Sequence, residues 1–110
     1  MISISHVDEY PKFSVRVEIL ITSGGIVLGG KGIAELLKAI EETGSLRRAS
    51  ERLGMNYKRA WMKLKLAEAK AMTPLVERRR GRSGYRLTGQ GKEIVQLYYE
   101  AEKKLVNCGF

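Results

Sequence analysis

Apolar residues follow two different spacings along this chain, and each spacing predicts a different kind of element. Over residues 31–43 they recur every three or four positions, which is the spacing of one face of an α-helix. The same spacing predicts a second helix over 46–53 and a third over 57–71. We expect the third helix to turn a stripe of five residues inward, with Trp61 as a core anchor: Tyr57, Ala60, Trp61, Leu64 and Ala67.

The residues between these helices are those that end and begin helices. Gly44 is expected to end the first helix, and Ser45 to cap the second. Gly54 can adopt the positive φ that ends the second helix, and Asn56 can cap the third. Two short helices joined by a glycine turn predict a helix-turn-helix.

A spacing of two positions marks the region before the first helix. Apolar residues recur at every second position from Val15 to Ile21, with the polar residues Arg16 and Glu18 at intervening positions and Thr22 directly after them. Ser23-Gly24-Gly25 can then turn the chain back into Ile26-Val27-Leu28. This predicts a β-hairpin over 15–30, after a lead-in over 1–12 without a clear period. Because an isolated hairpin is marginal in water, it should pack beside the helices or across a dimer, and both remain open.

A second, basic hairpin is predicted after the third helix. Pro74 interrupts the helical pattern, and 75–78 and 85–87 then read as short strands joined by an arginine-rich loop. A hairpin with a basic loop directly after such a helix is typical of the wing of a winged helix-turn-helix, so we assign the wing to 75–87.

A long last helix is expected over 88–107, capped by Thr88. Since three helices and two hairpins already supply a core, its apolar stripe is a candidate dimer contact. That stripe consists of Ile94, Leu97, Tyr98, Ala101 and Leu105. Residues 1–110 are therefore predicted to form a single, mainly α domain with a small β component: a three-helix core over 31–71, an N-terminal hairpin, a wing and a C-terminal dimerisation helix.

Positive charge is concentrated in the middle of the chain. The formal net charge is +8, but residues 45–91 hold thirteen Lys or Arg against three acids, whereas 1–44 hold four against six and 92–110 three against three. An excess confined to a predicted helix-turn-helix and its wing points to double-stranded DNA as the partner.

The residue types suggest separate roles on DNA. Outward residues of the third helix can reach a major groove, and Tyr57 can donate to a phosphate. Arg47 and Arg48 are suited to the backbone, and the wing arginines to phosphates or the minor groove. The full set of expected DNA-binding residues is Arg47, Arg48, Asn56, Tyr57, Lys58, Arg59, Met62, Lys63, Arg79, Arg80, Arg82 and Arg86.

Several other classes of protein are disfavoured. Cys108 is the only cysteine, so neither an internal disulfide nor a thiolate metal cage is expected, and no residue set suggests a cofactor or an enzyme's nucleophile or acid–base pair. The run from Gly25 to Gly32 nearly spells a phosphate-binding loop, but Gly32 stands where Ser or Thr should hold magnesium. No apolar run spans a bilayer and no signal peptide is evident, so we expect a cytoplasmic protein without a membrane partner.

Four segments together resemble the N-terminal winged helix-turn-helix domain of the ModE family of molybdate-responsive regulators: 33–45, 56–61, 75–78 and 87–91. Tyr-Lys-x-Ala-Trp combined with Leu-Val-Glu-Arg is characteristic of that family, and the Gly-Ser…Ala-x-x-x-Leu-Gly frame is shared with LysR-type regulators. The resemblance implies a dimeric repressor or activator on a palindromic operator. Family members sense molybdate with C-terminal domains, and this chain stops soon after Leu105, so we expect a stand-alone form. Such a form could be constitutive, could respond through a separate effector-sensing protein, or could act on operators unrelated to molybdenum.

The interpretation is therefore a sequence-specific, homodimeric transcription regulator with its third helix in the major groove and its wing on the backbone or minor groove. Two alternatives remain: an architectural protein that binds DNA without sequence preference, and a winged-helix module that binds proteins. A basic third helix carrying Asn56, Arg59 and Met62 disfavours both.

Overall fold

The computed structural model describes residues 12–81 and 83–108, and it has the winged helix-turn-helix architecture that the sequence predicts. A hairpin of β1 (Ile21–Ser23) and β2 (Ile26–Gly29) precedes three helices. A second hairpin and a long helix follow them. The helices and the second hairpin are α1 (Lys31–Thr43), α2 (Leu46–Arg52), α3 (Tyr57–Ala71), β3 (Val76–Arg78), β4 (Tyr85–Leu87) and α4 (Gly89–Asn107).

Local hydrogen bonds begin and end these helices where the sequence predicts. Ser45 Oγ accepts from the amide of Arg48 at 3.1 Å to cap α2, and Thr88 Oγ1 accepts from the amide of Gly91 at 3.1 Å to cap α4. Gly44, at φ 72°, ends α1 with its amide 2.7 Å from the carbonyl of Ile40. Such caps satisfy backbone groups that a helix end leaves unpaired, which explains the agreement of the boundaries.

The core forms around α1, whose apolar face is fully enclosed. Leu36, Leu37 and Ile40 are each 0 % exposed. They pack in one cluster with side chains of every later element up to the wing, and that cluster comprises Ile33, Leu36, Leu37, Ala39, Ile40, Leu46, Ala49, Ala60, Leu64, Ala67, Leu75, Val76 and Leu87. The helix-turn-helix is thus held on one central helix.

The wing is attached to the rest of the domain at both ends of its sheet. β3 and β4 pair antiparallel, with Val76 opposite Leu87 and Arg78 opposite Tyr85. The amide of Tyr85 donates a 2.8 Å hydrogen bond to the carbonyl of Gly44, in the turn between α1 and α2. Since Val76 and Leu87 are buried, the wing is packed on the core rather than projecting freely.

The N-terminal hairpin is shorter than the alternation predicts. Pairing starts at Ile21, opposite Gly29, and the turn is made by Gly24 and Gly25 at φ 57° and 84°. The prediction of a strand from Val15 was wrong: 12–20 form no strand, and Val15 is 93 % exposed. An alternating pattern requires a partner strand, and the described residues offer one only from Ile21 onward. Most of the predicted lead-in, 1–11, lies outside the described residues.

Two tyrosines of α4 pack towards α1. Tyr98 is 5 % exposed, and its ring meets that of Tyr99 edge-on at 5.1 Å. Lys38 of α1 lies with Nζ 4.6 Å from the centre of the Tyr99 ring.

None of the helices in the described parts of the chain combines the length and apolar content needed to cross a bilayer.

Candidate nucleic-acid interface

The start of α3 presents basic and polar side chains around an open depression of about 600 Å³. All five residues expected to face outward there are exposed, but they differ in the contacts that they make. Gly54 and Met55 of the preceding turn complete the wall, and the outward residues are Asn56, Lys58, Arg59, Met62 and Lys63. A depression with amide, ammonium, guanidinium and thioether groups offers both donors and apolar contacts to base edges.

Asn56 has a structural role in addition to its place on this surface. Its Oδ1 accepts from the amides of Lys58 at 2.8 Å and Arg59 at 3.3 Å. The side-chain oxygen is therefore engaged in capping α3, and a contact with a base would use the amide NH₂ group. Capping also fixes the backbone from which Lys58 and Arg59 project.

Lys63 lies towards α1 rather than straight outward. Its Nζ is so close to Gly32 that a Cβ built on that glycine would be 2.9 Å away. The ammonium group thus bridges the exposed edges of α3 and the start of α1. Gly32, the residue that disfavoured a phosphate-binding loop, leaves the space that this lysine occupies.

The aromatic residues of α3 are not where the helical stripe predicted. Ala60, Leu64 and Ala67 are buried as expected, but Tyr57 is 40 % and Trp61 is 44 % exposed. The prediction of Trp61 as a core anchor was wrong. Small alanines bring α3 close to the core, so the wider rings at the edge of the stripe are left at its flank. Nζ of Lys65 lies 5.9 Å from the centre of the Trp61 ring.

The predicted wing residues fall into different environments. Arg80 is exposed, whereas Arg79 is half-buried and turned towards Gly44. Arg86 donates through Nε to Oε2 of Glu77 at 2.8 Å, so its charge already has a partner on the neighbouring strand. Arg82 lies outside the described residues.

A second concavity of about 440 Å³ joins the helix-turn-helix to the wing. Arg47 and Arg48 of α2 and Arg79 of the wing line it together with Tyr57. The guanidinium carbon of Arg47 lies 5.0 Å from the centre of the Tyr57 ring. All four residues were predicted to bind DNA. Their shared cavity could not be predicted, because they come from three separate elements.

The predicted dimerisation stripe is only partly available at the surface of α4. Leu97 is 59 % exposed, and Ile94, Ala101 and Leu105 are half-buried. Tyr98 is 5 % exposed within the single chain, so little of its side chain is available to a partner, and its assignment as a dimer contact stays a prediction. Val106, which the stripe omitted, is 67 % exposed.

The pKa values of two tyrosines in α4 are raised. Burial, followed by the charges of Glu102 and Glu35, raises the pKa of Tyr98. Burial, followed mainly by the charges of Glu35 and Glu102, raises the pKa of Tyr99.

Within 12–81 and 83–108, no three His, Cys, Asp or Glu residues come together as a metal site would require.

Comparison with known sequences gives a family match over the region that carries these surfaces. Residues 34–92 match the model of the bacterial regulatory helix-turn-helix proteins, lysR family. The chain is also 36 % identical over 72 residues to the molybdenum transport protein ModE of Herbaspirillum seropedicae. That alignment covers 63 % of this chain and 27 % of the relative, so the chain spans about a quarter of the relative's length.

Solved structures with similar folds give the same architecture. The CbnR_DBD–DNA complex matches with a TM-score of 0.59 and 20 % identity, over 71 % of this chain and 87 % of that one. VV2_1132, a LysR family transcriptional regulator, matches with a TM-score of 0.56 and 16 % identity, over 67 % and 25 % of the two chains. ArgP from Mycobacterium tuberculosis gives 0.55 and 27 %, over 74 % and 29 %.

Proposed function

The chain belongs to the lysR family of bacterial regulatory helix-turn-helix proteins, whose model matches more than half of its length, and on this premise we propose that it is a transcription regulator that binds duplex DNA at specific sequences. The observation that carries the proposal is the exposed basic surface at the start of α3, where Lys58 and Arg59 project from a backbone fixed by Asn56. This helix enters the major groove. A guanidinium that contacts guanine there contributes about 1–3 kcal/mol of discrimination between bases.

The other basic residues hold the domain on the DNA backbone. Arg47 and Arg48 lie at the start of α2 and Arg80 in the wing loop, and all three are exposed. Contacts of this kind with phosphates position a recognition helix without reading sequence. Arg86 has a smaller role, because Glu77 already neutralises much of its charge.

The regulator acts as a homodimer on a palindromic operator. Support comes from α4, where Leu97 is 59 % exposed although it is large and apolar, and where the half-buried Ile94 and Ala101 lie on the same side of the helix. Covering such side chains with their symmetry mates removes apolar surface from water. Each protomer then places one α3 in a major groove, with the two grooves about one DNA turn, roughly 34 Å, apart.

The experiment is a selection from a random duplex DNA library at about 150 mM salt. Enrichment of an inverted repeat, with half-sites about 10 base pairs apart, is the expected result. Retention of DNA without enrichment would overturn sequence-specific binding in favour of an architectural role, and no retention would mean that the basic surface binds another partner. Sedimentation of the chain alone and on the selected duplex would test the dimer separately.

A further inference from the structure

We propose that Arg79 of the wing and Arg47 of α2 bind the same phosphodiester of the DNA backbone, in the concavity between the wing and the helix-turn-helix. The inference rests on the proposed function, because it names a ligand that duplex DNA supplies. It assigns Arg79 to a different place on the DNA from Arg80, its neighbour in sequence. The wing and the helix-turn-helix then close on one backbone group.

The lining of this concavity is cationic and polar. Arg47, Arg48 and Arg79 contribute three guanidinium groups, and Ser45 and Ser83 contribute hydroxyl groups. Among the described residues that line it, none is acidic. Its volume, about 440 Å³, admits a phosphodiester and the sugar atoms next to it.

Arg79 is turned into the concavity by contacts along its length. Its amide donates to the carbonyl of Gly84 at 3.1 Å. Its Cδ lies 3.6 Å from the position of a Cβ built on Gly84, and its Nη1 lies 3.1 Å from that of a Cβ built on Gly44. The guanidinium therefore rests on the turn that leads into α2.

The wing is docked so that this position is maintained. The amide of Tyr85 donates to the carbonyl of Gly44 at 2.8 Å. Gly84, at φ 104°, approaches the same carbonyl so closely that no side chain fits there. A rigid mount lowers the conformational entropy that Arg79 loses on binding, which favours a specific contact over a general attraction.

Arg47 faces the same space from α2, held over the ring of Tyr57. Within the described residues, neither Arg47 nor Arg79 forms an ion pair, whereas Arg52 pairs with Glu42 and Arg86 with Glu77. Two guanidinium groups without a carboxylate, on either side of one polar cavity, match the oxygens of a phosphate group. Since Tyr57 also begins α3, the cavity opens beside the surface proposed to enter the groove.

The test uses the selected operator with single phosphates replaced, one position at a time, by uncharged methylphosphonate. The full chain, Arg47→Ala, Arg79→Ala and the double variant are compared, with Arg80→Ala as the matched control. At one position in each half-site we expect methylphosphonate to weaken wild-type binding about ten- to a hundredfold. At that position each single variant should lose a smaller factor than wild type, because one arginine remains, and the double variant should be insensitive. Arg80→Ala should lose the full factor.

Salt dependence gives an independent readout. If both arginines neutralise one phosphate, the slope of log Kd against log salt should fall by about one in the double variant, and by less in each single variant. A fall of about two, or sensitivity of the two variants to different phosphates, would overturn the shared site. Failure of the wild-type chain to bind unmodified duplex would overturn the proposed function itself, and with it this inference.

Discussion

The backbone amide of Leu75 donates a 2.8 Å hydrogen bond to Oε2 of Glu68, which ties the last turns of α3 to the start of the wing. The amide of Val76 donates to the same oxygen at 3.3 Å, and Nζ of Lys65 lies 3.3 Å from the other oxygen. The Glu68 side chain is only 12 % exposed. One carboxylate of α3 thus satisfies two backbone groups at the place where β3 begins.

Glu68→Ala should lower the free energy of unfolding by about 1–3 kcal/mol, because it leaves the buried amide of Leu75 without an acceptor. Glu68→Gln keeps an oxygen in place and should cost less. Urea unfolding of both variants measures the difference. Equal losses in the two variants would show that the carboxylate does not support the wing through these bonds.

Arg59→Ala and Arg80→Ala should weaken DNA binding in different ways. Arg59 lies in the depression at the start of α3, so its loss should reduce the ratio of affinities for operator and unrelated duplex by about ten- to a hundredfold. Arg80 is exposed on the wing loop, so its loss should weaken binding to both duplexes alike. Titrations of each variant with both duplexes check this, and identical behaviour of the two variants would contradict it.

Trp61→Ala should destabilise the domain less than Leu64→Ala, although tryptophan is the larger side chain. Leu64 is 3 % exposed, and its truncation should cost about 2–5 kcal/mol. Trp61 is 44 % exposed, so a large part of its surface is in water in the folded state as well. The denaturant midpoints of the two variants measure this difference. A greater loss of stability for Trp61→Ala would contradict the expectation and show that the ring contributes to the core.

Stability should fall as the pH rises above about 10, the ordinary pKa of tyrosine. The pKa values of Tyr98 and Tyr99 are raised in the folded state, first by burial, so the unfolded chain releases these protons at lower pH and is favoured there. Tyr99→Phe removes one of the two groups and should reduce the fall. Unfolding free energies of both proteins at pH 8 and above 10 test the expectation, which fails if the two curves run parallel.

The helices were predictable because their signals are local. Apolar spacing and the caps at Ser45, Asn56 and Thr88 lie within a few residues of each boundary, and the structure has α1 and α3 at the predicted limits. The alternation from Val15 was equally regular, but a strand needs a partner, and the pattern contains no information on whether one exists. A helical period also could not tell that Trp61 lies at the edge of its stripe.

Contacts between distant parts of the chain could not be predicted from the pattern of residues along it. The hydrogen bond from the amide of Tyr85 to the carbonyl of Gly44 joins residues that are far apart in the sequence, and no local motif predicts it. Consecutive arginines look alike in a sequence, yet Arg79 is turned back towards Gly44 and Arg80 is exposed. Residue type therefore identified the basic surfaces, and only the fold distinguished their members.

The exposed ring of Trp61 allows α3 to be followed by fluorescence. It is the only tryptophan in the chain, so selectively excited indole emission arises from this single position. Trp61 of α3 lines a small cavity together with Val76 and Tyr85 of the wing. Its emission wavelength and quenching by solutes thus report on the junction of helix and wing, in the unlabelled protein, without interference from any second indole.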